Sequence, residues 1–216
     1  MTPRVVILSA PSGGGKTTIT QALLARRTDA GYSVSATTRA PRRGERDGAA
    51  YHFVSRPEFE RMIAAGEFLE WATYADQLYG TLRREVDAVL AVGRHVLLDI
   101  EIDGARQVRA AYPPPASVSV FIVPPSVDDL LSRLRSRKSE SPVDLERRLA
   151  RAVQELRSAA EFDHLVVNDD LELAVREIGS ILDGRPPASR TPRETELLST
   201  LEAGVAARAG RLRAKT

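Results

Sequence analysis

The 216-residue sequence has no cysteine, 2 methionines, 1 tryptophan and 3 histidines, and aromatic residues make up only 5% of it. Without cysteine there are no disulfide staples, no thiolate nucleophile and no cysteine-bound zinc, a composition suited to a reducing compartment. His52, His95 and His164 are scattered through apolar segments and read as structural rather than catalytic. No apolar run approaches the roughly 20 residues of a membrane span. Met1-Thr2-Pro3-Arg4 leads straight into a strand-like segment, which argues against a secretory signal. A cytoplasmic location with no membrane partner is the expectation.

What is there has the balance of a folded domain, 43% hydrophobic and 28% charged, with length for one compact domain and a small insert. The formal net charge is +2, but residues 185–216 hold seven basic residues against three acidic ones, which leaves residues 1–184 with about −2. Basicity confined to a tail gives no footprint for nucleic acid, and no nucleic-acid partner is expected.

Short, nearly continuous apolar runs at 5–8, 96–100, 118–123 and 165–167 read as strands buried on both faces. Helical patterns between them, at 16–26, 103–110, 126–137, 144–159 and 171–182, make an α/β core with a parallel sheet flanked by helices. Residues 37–84 have a different texture, with aromatic and β-forming segments at 51–54 and 68–74 around a short helix at 57–65. They read as a small α+β insert, leaving 1–36 and 85–184 as the core. Gly184-Arg185-Pro186-Pro187 stops a helix and opens a linker, after which Thr191-Pro192-Arg193-Glu194 has capping-box form. Leu197, Leu198, Leu201 and Val205 then mark one face of a terminal amphipathic helix.

Chemistry enters after the first strand, at Ala10-Pro11-Ser12-Gly13-Gly14-Gly15-Lys16-Thr17-Thr18. Strand, glycine loop and helix N-terminus are the context of a phosphate-binding loop. Its glycines let backbone N–H groups converge on phosphate oxygens, and the helix dipole adds positive potential. Lys16 suits the β- and γ-phosphates, and the Thr17 hydroxyl suits Mg²⁺. Ala10 stands where the general pattern has its first glycine, at a position that closes the strand. The loop predicts ATP binding and leaves the acceptor open.

A second cluster, Ser35-Ala36-Thr37-Thr38-Arg39-Ala40-Pro41-Arg42-Arg43-Gly44-Glu45, places two guanidinium forks on a turn that Pro41 keeps out of an ordinary helix. It is followed by Gly48-Ala49-Ala50-Tyr51-His52-Phe53-Val54, Glu67-Phe68-Leu69-Glu70-Trp71-Ala72 and Tyr79-Gly80-Thr81. Together with Ala-Pro-Ser-Gly in the loop, these segments closely resemble the guanylate kinase family, in order, from residue 4 to about 183. The resemblance implies a P-loop-type enzyme that moves the γ-phosphoryl group of ATP onto GMP, and onto dGMP, with Mg²⁺.

By that resemblance Arg39, Arg42, Tyr51 and Tyr79 hold the GMP phosphate, and Ser35, Glu70 and Thr81 read guanine, with Gly80 between them. A carboxylate can accept from guanine N1–H and N2–H₂, whereas adenine presents a lone pair at N1. Trp71 alternates with Glu70 along a strand and reads as core of the insert. Asp99 ends a hydrophobic strand, the usual place for a carboxylate supporting Mg²⁺. The family commonly has Asp-x-Asp-x-Gln-Gly here. This chain has Asp99-Ile100-Glu101-Ile102-Asp103-Gly104, so Glu101 takes the guanine-side position with one more methylene. Arg133, Arg137 and Arg148 are the resemblance's lid and catalytic arginines, with a lid at about 137–147 in which Lys138 replaces a common glycine. Asn168 is the expected adenine contact.

Two other readings stay open. A protein-binding module on the same scaffold needs neither Lys16, Thr17 nor the lid arginines. A related kinase acting on a ribose bisphosphate would not need Ser35, Glu70 and Thr81. The sequence does not exclude a homo-oligomer.

Overall fold

The computed structural model of the chain describes residues 2–74, 76–135, 142–188 and 190–213. In chain order, β1 (Val5–Ser9) leads through the glycine loop to α1 (Lys16–Arg26), β2 (Ala30–Tyr32), β3 (Ala36–Thr37) and β4 (His52–Phe53). Then come α2 (Arg56–Ala64), β5 (Phe68–Tyr74), β6 (Gln77–Leu82), α3 (Arg83–Ala91), β7 (His95–Asp99), α4 (Ile102–Ala111) and β8 (Ser117–Val123). The chain continues with α5 (Val127–Arg135), α6 (Pro142–Arg157), a 3₁₀ turn (Ser158–Glu161), β9 (His164–Val167), α7 (Leu171–Leu182) and α8 (Pro192–Arg213). The α/β class is as expected: one sheet has the order β2-β7-β1-β8-β9 and a second has the order β4-β3-β6-β5. The chain divides into two compact units, Met1–Ile7 with Leu24–Val118, and Leu8–Leu23 with Ser119–Thr216.

In the first unit β2 runs parallel to β7, with Ala30 opposite His95. The neighbouring four-stranded sheet is mostly antiparallel, β5 and β6 forming a hairpin with Glu70 opposite Thr81 and Trp71 opposite Gly80. Its apolar face is covered by α2, which starts where Ser55 accepts a hydrogen bond from Glu58 N–H. Ala36, Phe59, Met62, Phe68, Leu78 and Leu82 form the buried cluster, and the Phe59 and Phe68 rings stack at 4.3 Å between centroids.

Helix α3 is absent from the sequence expectation. Its N-cap is Leu82, which has no side-chain acceptor to signal a start, and Arg83-Arg84 reads as a polar turn. Trp71 is a correction. It is 39% exposed while Glu70 is 5% exposed, because β5 alternates its faces and the inward one carries the carboxylate. The Trp71 backbone is secured instead by α4, donating N–H to Gln107 Oε1 and accepting from Gln107 Nε2.

In the second unit β8 runs parallel to β9, with Val120 opposite His164, and all seven residues of β8 are buried. Helix α6 ends at Arg157 and tightens into the 3₁₀ turn, two residues short of the expected 159. Arg190, at φ +59°, redirects the chain, and its guanidinium donates to the carbonyls of Ala160 and Phe162. The expected capping box then forms: Thr191 N–H donates to Glu194, and Glu194 N–H donates to Thr191 Oγ1. Helix α8 packs along α6 and α5, burying Leu201, Val205 and Ala209.

Candidate active site

The second unit carries the phosphate loop. Gly14 N–H donates to the Pro11 carbonyl at 2.8 Å, closing a turn, and Ile19 N–H donates to Gly15 to start α1. Ala10 and Pro11 are buried and Gly13 is half-buried; Lys16 opens the helix half-buried, while Thr17 and Thr18 are exposed. Gly15 has φ +92°, and a Cβ there would collide with the Asn168 amide. A glycine is therefore required twice over, by conformation and by space.

Three elements grip this loop. Asn168, at the end of β9 and 8% exposed, donates its side-chain N–H to the Gly14 carbonyl at 2.9 Å. Arg133 of α5 donates to the Asn168 carbonyl at 3.1 Å. From α6, Arg148 donates to Ser12 Oγ at 3.0 and 3.3 Å and to the Leu134 carbonyl at 3.0 Å. The amide expected to meet adenine is thus engaged with the loop backbone. Arg137 and Lys138 lie outside the described residues, as does the first part of the expected lid, up to residue 141.

The first unit carries a cluster built around Arg39, Tyr51 and Tyr79. Thr37 Oγ1 accepts from Arg39 N–H and donates to the Leu78 carbonyl, fixing the turn that presents Arg39. The Arg39 guanidinium lies 5.4 Å from the Tyr51 ring centroid and 5.7 Å from that of Phe53. Tyr51 and Tyr79 meet edge to face at 5.9 Å. Burial, with the charges of Tyr79 and Asp99 secondary, pushes the Tyr51 hydroxyl above its ordinary range. It stays a neutral donor, which is what a phosphate oxygen needs.

Glu45 makes a forked pair with Arg39, 2.9 Å on each arm, and also accepts from Arg42 N–H at 2.7 Å. The Arg39 fork and that amide hold the Glu45 carboxyl below the usual carboxylate range. Glu45 stands three residues after Arg42, and nothing in that spacing marks it as the partner of Arg39. The Arg42 side chain is exposed.

In the same unit Glu70 Oε1 accepts from the Thr81 hydroxyl at 2.6 Å and from Thr81 N–H at 3.0 Å. Thr81 is fully buried. The other oxygen, Oε2, lies against Gly104, the third residue of α4, where a Cβ would overlap it. The Glu70 carboxyl group is thus oriented by one strand and wedged against a helix that leaves it room. Glu101 is the N-cap of α4 and its side chain makes no capping bond. Asp103, one of the departures from the family pattern, is exposed and pairs with Arg106 at 2.8 Å. Ser35 is half-buried, and its carbonyl accepts from His52 N–H.

Comparison with known proteins finds relatives over most of the chain. The guanylate kinase family model matches residues 2–185. A guanylate kinase of Trichormus variabilis is 47% identical over 181 residues, covering 84% of this chain and 90% of that protein. One of Dechloromonas aromatica is 44% identical over 182 residues, covering 84% and 89%. The crystal structure of guanylate kinase from Anaplasma phagocytophilum aligns with a TM-score of 0.70 at 30% identity, covering 92% of this chain and 94% of that one. This chain belongs to the guanylate kinase family.

Proposed function

We propose that the chain transfers the γ-phosphoryl group of ATP to GMP, yielding ADP and GDP, with the second unit supplying the donor side and the first unit the acceptor side. The observation that carries the acceptor is Glu70, 5% exposed, ionisable and oriented by Thr81. A buried carboxylate acceptor is matched by guanine N1–H and N2–H₂ and mismatched by adenine N1. Because the Thr81 hydroxyl already donates to Glu70, donation to guanine O6 falls to Ser35, with Glu101 beside the base. Arg39, Arg42, Tyr51 and Tyr79 hold the GMP phosphate, Gly80 lets the strand pass close, and the insert is residues 37–84. Ribose 2′-OH enters none of these contacts, so dGMP is also a substrate.

On the donor side, residues 10–18 cradle the triphosphate, Lys16 neutralises its β- and γ-oxygens, and Arg133, Arg137 and Arg148 stabilise the charge that spreads over the transferred group. Asn168 supports ATP through the loop it holds. The GMP phosphate is already an anion, so positioning and charge compensation supply most of the acceleration and no covalent intermediate is needed. Among the described residues there is no cluster of three or more His, Cys, Asp or Glu to cage a metal. That donor set fits Mg²⁺, which takes one or two protein oxygens and completes its shell with phosphates and water. Thr17 would hold the ion through its hydroxyl, with Asp99 as the supporting carboxylate. When bound, the ion would supply charge neutralisation at the phosphate oxygens.

Among the described residues no helix is long and apolar enough to cross a membrane. The absence of cysteine supports a cytoplasmic reading. An ADP-release assay with ATP and Mg²⁺ against GMP, dGMP, AMP, CMP, UMP and ribose bisphosphate tests the proposal. ADP release is expected with GMP and dGMP; its absence with GMP refutes the reading, and turnover of ribose bisphosphate instead supports the alternative acceptor.

A further inference from the structure

We infer that Glu155 is a positioning residue for ATP, acting on the phosphate loop through Ser12. The inference rests on the phosphotransferase reading above, but its readout is ATP affinity, which does not depend on the acceptor.

Glu155 lies on α6 and is 6% exposed. Its Oε2 accepts from the backbone N–H of Ser12 at 3.0 Å, and its Oε1 accepts from Arg151 Nε at 2.9 Å. Ser12 is held a second time by the same helix, its hydroxyl accepting from Arg148, which lies two helical turns before Glu155 and so on the same face. One loop residue is therefore fixed by its backbone to a carboxylate and by its side chain to a candidate catalytic arginine.

This arrangement orders the loop in a way the glycines cannot. Gly13, Gly14 and Gly15 allow many backbone conformations, so the peptide planes that must face phosphate need an external restraint. A charged acceptor gives that restraint more strength than a neutral one. It fixes the Ser12 peptide at the start of the turn, and the turn through Pro11 and Gly14 then sets the peptides that follow. A bare carboxylate beside a triphosphate would repel it; Arg151 offsets that charge. The Arg148 guanidinium, resting on Ser12 Oγ, is placed by the same anchor.

The test compares wild type, Glu155→Gln and Glu155→Met. Glutamine keeps an acceptor for Ser12 N–H without the charge, and methionine keeps the length with no comparable acceptor. ATP affinity without GMP is measured by calorimetry, with kcat, the KM for each substrate and Tm alongside. Glu155→Met is expected to lose about 10- to 100-fold in ATP affinity and in kcat/KM for ATP, the scale of a charged hydrogen bond. Glu155→Gln is expected to lose about three- to tenfold, and the KM for GMP is expected to stay unchanged in both. Should the methionine variant not fold, the glutamine variant decides alone. Wild-type ATP affinity in Glu155→Gln, equal damage in the two variants, or a matching rise in the KM for GMP would overturn the inference. A wild-type chain that binds ATP yet leaves GMP unphosphorylated refutes the proposed acceptor and leaves this ATP-affinity comparison decisive on its own terms.

Discussion

On the proposed reading, base selection depends on one carboxylate, Glu70. Thr81 fills one oxygen of Glu70 with two donors, and Gly104 gives the other oxygen room. A Gln at this position is isosteric, but its amide nitrogen can donate where guanine also donates. Glu70→Gln should therefore raise the KM for GMP about 10- to 100-fold, the equivalent of about 1 to 3 kcal/mol for a bidentate base contact. ATP affinity, measured on the same protein without GMP, should change less than about twofold. A variant that loses ATP affinity instead would show that Glu70 serves the fold or the donor side. That Glu70 and Thr81 belong together was legible in the sequence. Their mutual hydrogen bond was not, because it depends on strand register across the β5–β6 hairpin. Glu45 was invisible as the Arg39 partner for the same reason, since a loop's fold decides which charges meet.

Among the elements, most helices were readable from their periodicity and flanking residues, and α3 was not. Helix α1 runs from Lys16 to Arg26 and α7 from Leu171 to Leu182, as the periodicity and flanking residues indicate. Helix α3 starts at an uncapped Leu82 and gave no sign. The two-residue strand β3 is too short for a period-two pattern to register, whereas β4 lies within the β-forming segment at 51–54. The capping box of α8 makes a direct prediction: Thr191→Ala should cost about 1 kcal/mol and lower Tm by about 2–4 °C, with the KM for GMP unchanged. An unchanged melting curve would mean that α8 contributes little to the stability of the second unit.

A pH effect belongs to the same elements. Burial, then the Glu194 carboxylate, pushes Glu177 of α7 above the usual carboxylate range. A raised folded value means that the fold prefers the protonated form. The stability it contributes is complete below the ordinary carboxylate range and is lost as pH rises through the raised value. Glu177→Gln should therefore raise Tm at pH 8 and change it less at pH 4. A larger gain at pH 4 than at pH 8 would contradict this.

Over the whole molecule, the sequence predicts a phosphate loop and an acceptor insert. The three-dimensional structure adds how each is held. The donor loop is gripped by β9 through Asn168 and by α6 through Arg148 and Glu155. On the proposed acceptor side, Arg39, Tyr51 and Tyr79 cluster together, and Glu70 is held against α4 in the same unit. The long-range partners were not legible because each joins residues far apart in the chain: Ser12 with Glu155, and Gly14 with Asn168. The kcat/KM of the wild-type chain for GMP relative to AMP, at saturating ATP and Mg²⁺, tests the central claim most directly. A hydrogen-bonding site of this kind predicts a preference for GMP of roughly 1,000-fold or more; comparable values for GMP and AMP would contradict the account.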